Sequence, residues 1–321
     1  MIRFLLRRLG QAVIVLLAAY TITFGVLRLV PGDPVTVMLT SGGHEISTAT
    51  PEQVAALTAK FGLDLPVAQQ YVTQLFGMLR GDFGFSYTTG NPVLEGIAER
   101  AGSTLALSGL ALLLAIVFAL LLACVAALSS WQPLRMLLRR LPAVGVSVPS
   151  FLGGLLLIQM FSFGLGLFPA GGSGSFDTLV LPAVTLAIPA AAVIAQVLIK
   201  GFDEVLTEPY IVTARMKGLT RVRVLLRHGL PNAAAPAVTM LALIVGNMVI
   251  GTVVVETLFS RNGLGKYLQD AVLHHDFPVV QGIVMFAAAL FIVINLLTDL
   301  IYPLLDPRQQ AQPEEVQEVQ I

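Results

Sequence analysis

Six apolar runs, each long enough to cross ~30 Å of hydrocarbon as a helix, constrain this chain more than any other feature. They fall at about Leu9 to Val30, Ser103 to Leu128, Ala143 to Phe168, Leu179 to Ile199, Ala234 to Glu256 and Val279 to Leu305. Inside a bilayer no water satisfies backbone N–H and C=O groups, so runs of this length must be helical. A soluble chain of 321 residues would not carry 56 % apolar residues with only 12 % charge. The expected fold class is an all-α membrane protein with about six transmembrane helices. Arg3, Arg7 and Arg8 ahead of the first run resemble the start of a secretory signal peptide. That run continues to Val30 with no A-x-A-like cleavage site, so it is expected to remain as the first membrane helix.

Charge sets the orientation. Arg3, Arg7 and Arg8, then Arg135, Arg139 and Arg140, then Lys200, Arg215, Lys217, Arg221, Arg223 and Arg227 flank alternate ends of the runs and belong in the cytoplasm. The stretch between the first two runs has only Lys60, Arg80 and Arg100 against seven acidic residues and belongs outside. Both ends are therefore expected inside. The chain divides into a first transmembrane helix (1–30), an external segment (31–102), a membrane core (103–305) and a polar cytoplasmic tail (306–321), disordered from Gln309. In the external segment Pro31-Gly32-Asp33-Pro34 must turn, Thr50-Pro51-Glu52 starts a helix that Gly62 closes, and Val67 to Leu79 reads as a second, amphipathic helix. Together they suggest a small folded subdomain.

Several functions are excluded. A formal net charge of zero disfavours nucleic acid as a partner, and the single cysteine, Cys124, can build neither a disulfide framework nor a thiolate metal site. There is no G-x-x-x-x-G-K-[ST] loop; Gly263-Leu264-Gly265-Lys266 lacks the spacing and the hydroxyl. Nucleophile elbows and H-E-x-x-H helices are missing too, so no catalytic residue is expected. His274-His275-Asp276 invites a metal reading, but adjacent side chains diverge on helix or strand, and no metal site is expected there.

Polar groups within the runs carry more weight, because lipid exposure is costly for them. Gln159, Gln196, Asn247 and Asn295 are candidates for lining a translocation path, with inter-helix hydrogen bonding as the alternative. Arg28 and Glu256 are expected to mark the outer boundary. Pro149, Pro182 and Pro189 should break or kink their helices, and Ala183, Ala187, Ala190, Ala191, Ala192 and Ala195 make the fourth run a helix buried among helices.

The inner loop from Gly201 to Asn232 is longer than a connection needs. Tyr210 to Lys217 reads as a short helix, Gly218 as its stop, and Thr220 as the cap of a second helix running to about His228. On that helix Val222, Leu225 and Leu226 are expected to share a face opposite Arg221, Arg223 and Arg227. Such a helix can enter a groove on a soluble partner or lie on anionic lipid.

In this loop Tyr210-Ile-Val-Thr-Ala-Arg-Met-Lys-Gly218 followed by Arg227-His-Gly-Leu-Pro231-Asn232 resembles the loop signature of ABC importer permeases, with Thr213, Ala214, Gly218, Leu230 and Pro231 at the matching positions. Val212 and His228 depart from the general pattern and agree better with the dipeptide, oligopeptide and nickel branch. Blocks along nearly the whole chain resemble that branch, among them Arg28-Leu-Val-Pro-Gly-Asp-Pro34, Leu79-Arg-Gly-Asp-Phe-Gly84, Val255-Glu-Thr-Leu-Phe259 and Leu305-Asp-Pro-Arg308. The resemblance implies a multi-pass permease of the bacterial cell membrane that forms half of the path of an ATP-driven importer of dipeptides or oligopeptides. It implies a second, related permease (a heterodimer), two ABC ATPase subunits that bind ATP and Mg, and an external substrate-binding protein. This subunit would hold no cofactor of its own. The loop would couple to the ATPases through Thr213, Ala214, Gly218, Thr220, Val222, Leu225, Leu226, Leu230 and Pro231. Nickel or glutathione is the alternative cargo within the family; a channel or a secondary transporter is the alternative of another class, though no inverted repeat or mid-membrane charge supports the latter.

Overall fold

The computed structural model describes residues 2–30, 35, 38–39 and 50–305. The Pro31–Pro34 turn and the polar tail from Gln309 lie outside the described residues. The described elements are helical: α1 Ile2–Leu29, α2 Pro51–Lys60, α3 Val67–Leu79, α4 Val93–Leu128, α5 Gln132–Ser147 and α6 Ser150–Leu157, which opens into a π-helical turn, Ile158–Gly164. There follow α7 Asp177–Val205, α8 Pro209–Met216, the single turn α9 Arg221–Val224, a second π turn Leu225–Gly229, α10 Leu230–Leu258, α11 Leu264–Leu273 and α12 Phe277–Leu305.

Among the described residues, four helices are long and apolar enough to span a bilayer: Leu6–Leu29, Val93–Leu128, Asp177–Val205 and Phe277–Leu297. Two bent pairs, Gln132–Ser147 with Ser150–Gly164 at 105° and Arg221–Val238 with Leu243–Leu258 at 59°, bring the number to as many as six if each pair is one span. The third apolar run is thus divided at Pro149, one of the prolines expected to break or kink their helices. Val148 adopts extended backbone ahead of Pro149, whose ring excludes the helical conformation before it, and the chain turns sharply there.

Contacts divide the chain into two compact units, Met1–Ala106 with Phe259–Ile292, and Leu107–Leu258 with Val293–Ile321. In the first unit, α4, α11 and α12 share a core containing Val93, Ile97, Leu264, Ala271, Val279 and Ile283. Glycine allows the approach: a Cβ on Gly282 would stand 2.6 Å from Val93 Cγ1. Helix α3 lies along α1 through aromatic contacts of Tyr71 with Tyr20 and Phe24, at 5.0 and 5.3 Å between ring centroids. Asp276 is 1 % exposed and knits this unit together. Its Oδ1 accepts from Tyr87 N at 2.9 Å, and its Oδ2 from Ser86 Oγ at 2.5 Å, Thr88 N at 3.2 Å and Thr88 Oγ1 at 2.8 Å. Burial pushes the Tyr87 phenol up to about 12, with the Arg28 cation opposing and the Asp276 charge adding. Burial raises the Tyr267 phenol as well, beside an Arg100 guanidinium 4.4 Å above its ring.

In the second unit α7 is the central helix, and α5, α6 and α10 pack on it. Its buried face contains Ala183, Ala187, Ala190, Ala191, Ala192 and Ala195, the small-residue stripe read from the sequence. A Cβ on Gly145 of α5 would meet Ala192 Cβ at 2.9 Å, and one on Gly251 of α10 would meet Leu186 Cδ1 at 2.7 Å. Small residues replace bulk where backbones approach, which is how helices gain dispersion contacts when lipid offers no hydrophobic drive.

Candidate functional site

The loop between α7 and α10 is built by local sequence signals. Pro209 occupies the first turn of α8, where its missing N–H has no intrahelical acceptor to lose. Helix α8 closes in a Schellman motif: Leu219 N donates to Ala214 O at 3.4 Å and Gly218 N to Arg215 O at 3.0 Å. That closure needs a left-handed residue, and Gly218 takes φ +82. The Thr220 hydroxyl then caps the next turn, accepting from Arg223 N at 3.4 Å.

The second loop helix does not stop at His228 as expected from the sequence. Leu230 N donates to Leu225 O in a π turn, and the chain runs directly into α10. Pro231 offers no N–H, and its ring crowds the carbonyl four residues back, which favours this wider turn. The expected apolar face is also corrected, because Val224 is the residue that packs on Ile211 and Ala214 of α8. Val224 and Leu225 are buried at 1 % exposure each, whereas Val222 and Leu226 stand exposed at 51 % and 50 %.

What holds the loop is a small core of Ile211, Ala214 and Val224, with Leu206 and Leu219 packed against it. Ala214 is therefore a packing residue, and Thr213, whose hydroxyl donates to Pro209 O at 3.2 Å, is exposed. Leu230 is half-buried and Pro231 exposed. The surface left over mixes exposed apolar groups, Val222, Leu226 and Met216, with Arg221, Arg223 and Arg227.

Two positioning features escaped the sequence reading. Gly201 faces Ala233 so closely that an added Cβ would stand 2.9 Å from Ala233 O and 3.0 Å from its Cα and Cβ, so α7 and α10 touch backbone to backbone beside the loop. Arg139 of α5 forms a two-pronged ion pair with Asp203 of α7, Nη1 to Oδ2 at 3.1 Å and Nη2 to Oδ1 at 2.5 Å. The only signal for the first was a glycine inside a helical stretch, which normally costs stability and so asks for a packing reason.

The four candidate path residues all fall in the second unit. Gln159 on the π turn after α6, Gln196 on α7 and Asn247 on α10 are exposed, and Asn295 on α12 is half-buried. Of the two boundary residues, Arg28 ends α1, donates to Gln70 Oε1 and lies over the Phe24 ring at 5.2 Å. Glu256 lies in the last turn of α10 and is fully buried.

Known proteins resemble the chain along nearly its whole length. Residues 115–311 match the binding-protein-dependent transport system inner membrane component, and residues 1–108 match the N-terminal part of such membrane components. The dipeptide transport system permease protein DppB of Escherichia coli (strain K12) is 36 % identical over 96 % of this chain and 98 % of its own length. The di/tripeptide transport system permease protein DppB of Pseudomonas aeruginosa (strain UCBPP-PA14) is 36 % identical over 97 % and 100 %. The glutathione transport system permease protein GsiC of Salmonella paratyphi A is 37 % identical over 96 % and 98 %. Among solved structures, the inward-facing methionine ABC transporter MetNI aligns with 65 % of this chain and 96 % of its own at a TM-score of 0.56 and 18 % identity, a likeness of fold. Helices, loop and relatives agree: the chain belongs to the binding-protein-dependent transport system inner membrane components, in the peptide ABC transporter permease family.

Proposed function

We propose that this chain forms one half of the translocation path of an ATP-driven importer of short peptides, and that the loop of α8 and α9 receives the stroke of the ATPases. It is a multi-pass protein of the bacterial inner membrane, and it acts with ATPase and substrate-binding partners. The observation that carries the coupling role is the surface of the loop. Its own core is closed by Ile211, Ala214 and Val224, yet Val222, Leu226 and Met216 remain uncovered beside three arginines, on a capped and glycine-terminated support. Apolar anchors ringed by cations on a rigid turn suit a groove on a soluble partner.

The finer assignments follow from this reading. Both termini are cytoplasmic, and the segment carrying α2 and α3 lies outside. The partner in the membrane is a second, related permease, and two ATPases bind ATP and Mg, so this subunit has neither a cofactor nor a catalytic residue. Gln159, Gln196 and Asn247 face outward from the protomer in helices that would otherwise meet lipid, which supports placing them, with Asn295, on a hydrated path shared with the second permease. Peptide cargo is supported by the names of relatives, which include dipeptide, di/tripeptide and glutathione permeases, glutathione being itself a tripeptide. For nickel, the tempting His274-His275-Asp276 triplet offers little, because Asp276 is committed to Ser86, Tyr87 and Thr88.

The test is uptake of labelled di- and tripeptides, glutathione and nickel by cells lacking this chain and by the same cells complemented with it. Peptide accumulation that returns with the chain and vanishes on ATP depletion is expected. Nickel accumulation alone would overturn the peptide assignment. In parallel, Leu226→Asp is expected to abolish copurification of the ATPases while leaving membrane insertion intact.

A further inference from the structure

The first unit encloses a cavity of about 510 Å³, within the ~300–1,000 Å³ usual for small-molecule sites. It opens between the end of α1, the α2–α3 pair, residues 82–87 and the first turns of α12. Its walls are aromatic, with Phe24, Phe61, Tyr87 and Phe277 among the lining residues, while exposed Arg28, Lys60 and Asp82 add two positive charges and one negative. Gln281 lines it as well, and that side chain is 4 % exposed. Its Nε2 donor makes no hydrogen bond of normal geometry among the described residues. The Tyr20 hydroxyl donates to Tyr71 O at 2.8 Å and interacts with this amide only outside normal hydrogen-bond geometry. A buried amide donor left unmade is expensive, and one that borders a roomy cavity is satisfied when an acceptor oxygen enters.

We infer that this cavity is a binding site for short zwitterionic peptides bearing an apolar side chain. The ligand class, though not the site, rests on the peptide-import reading. The side chain packs among the rings, a peptide carbonyl or carboxylate oxygen accepts from Gln281 Nε2, and the chain ends pair with Lys60 and Asp82 at the opening. Bidentate terminal recognition is not required, because the orphaned donor and the aromatic walls already select an amphiphile with an acceptor oxygen.

The experiment is equilibrium binding of radiolabelled Leu-Phe to the complete transporter in nanodiscs, with the external binding protein omitted, for wild type, Gln281→Leu and Thr73→Trp. Thr73 lines the cavity from an exposed position on α3, so the indole fills the space without disturbing the buried amide. Copurification of the ATPases reports folding of each variant. Wild type should bind, and both variants should bind about tenfold more weakly or less. No binding by wild type, or equal binding by all three, overturns the inference. Leu-Phe uptake in complemented cells is read separately: uptake without binding sinks this site alone, and binding without uptake sinks the importer reading while the site stands.

Discussion

Replacing Gly201 by alanine puts the packing of α7 on α10 under direct test. The new Cβ would sit 2.9 Å from Ala233 O and 3.0 Å from Ala233 Cα and Cβ, against ~3.5–4.0 Å for relaxed carbon contacts. Two of these three atoms are backbone, so no rotamer change relieves the clash, and the helices must separate by roughly half an ångström or more. Overpacking of this kind costs about 1–3 kcal/mol. The crossing adjoins the loop, so separation also loosens the link between the α8–α9 core and the two helices. In the reconstituted transporter, Gly201→Ala should lower the unfolding midpoint of the complex and reduce peptide moved per ATP hydrolysed. Ala233→Gly added to it removes only the Cβ at 3.0 Å and leaves the carbonyl at 2.9 Å, so rescue should be partial. If Gly201→Ala matches wild type in both stability and transport per ATP, the backbone-to-backbone contact does not constrain how α7 packs on α10.

Gly218 behaves differently, because an added Cβ meets nothing within 4 Å and the strain is conformational alone. Gly218→Val should cost about 1–2 kcal/mol and Gly218→Asn clearly less, since asparagine tolerates the left-handed region; equal thermal stabilities for the two variants would refute that. Asp276→Asn turns an amide donor toward groups that include the Thr88 N–H, at about 1–3 kcal/mol. The expected readout is faster proteolysis near residues 82–92, and unchanged cleavage would count against the carboxylate as the clasp. Arg139→Lys forfeits the two-pronged geometry but acts at a half-exposed pair, so a stability loss within about 1 kcal/mol is expected from chemical denaturation, and a loss of several would contradict this.

The sequence by itself determined the solvent and the punctuation. Apolar length demands helices in lipid, and the runs reappear as α1, α4, α7, α10 and α12 with ends shifted by up to seven residues, except that α4 starts ten residues early. Helix α3 spans Val67–Leu79 as read, and Gly218 and Thr220 stop and cap the loop as read, because these are local events decided within a turn of chain. The family signature was legible for the same reason, being a short ordered string.

Tertiary structure decided what depends on distant residues or on helix phase. The break at Pro149 divides a run whose hydropathy is unbroken, since a proline in a membrane helix either kinks it or ends it according to what neighbours can satisfy. Val224 rather than Val222 closed the loop core because it is the one that meets Ile211 and Ala214 of α8, and no count of three and four along one helix could show that. Gly201 against Ala233, Arg139 with Asp203, and Asp276 with Ser86 to Thr88 each join segments 30 or more residues apart. Residues 259–292 pack with the N-terminal stretch for the same reason. A periodic pattern states which face of a helix is apolar; only the folded chain states what lies against it.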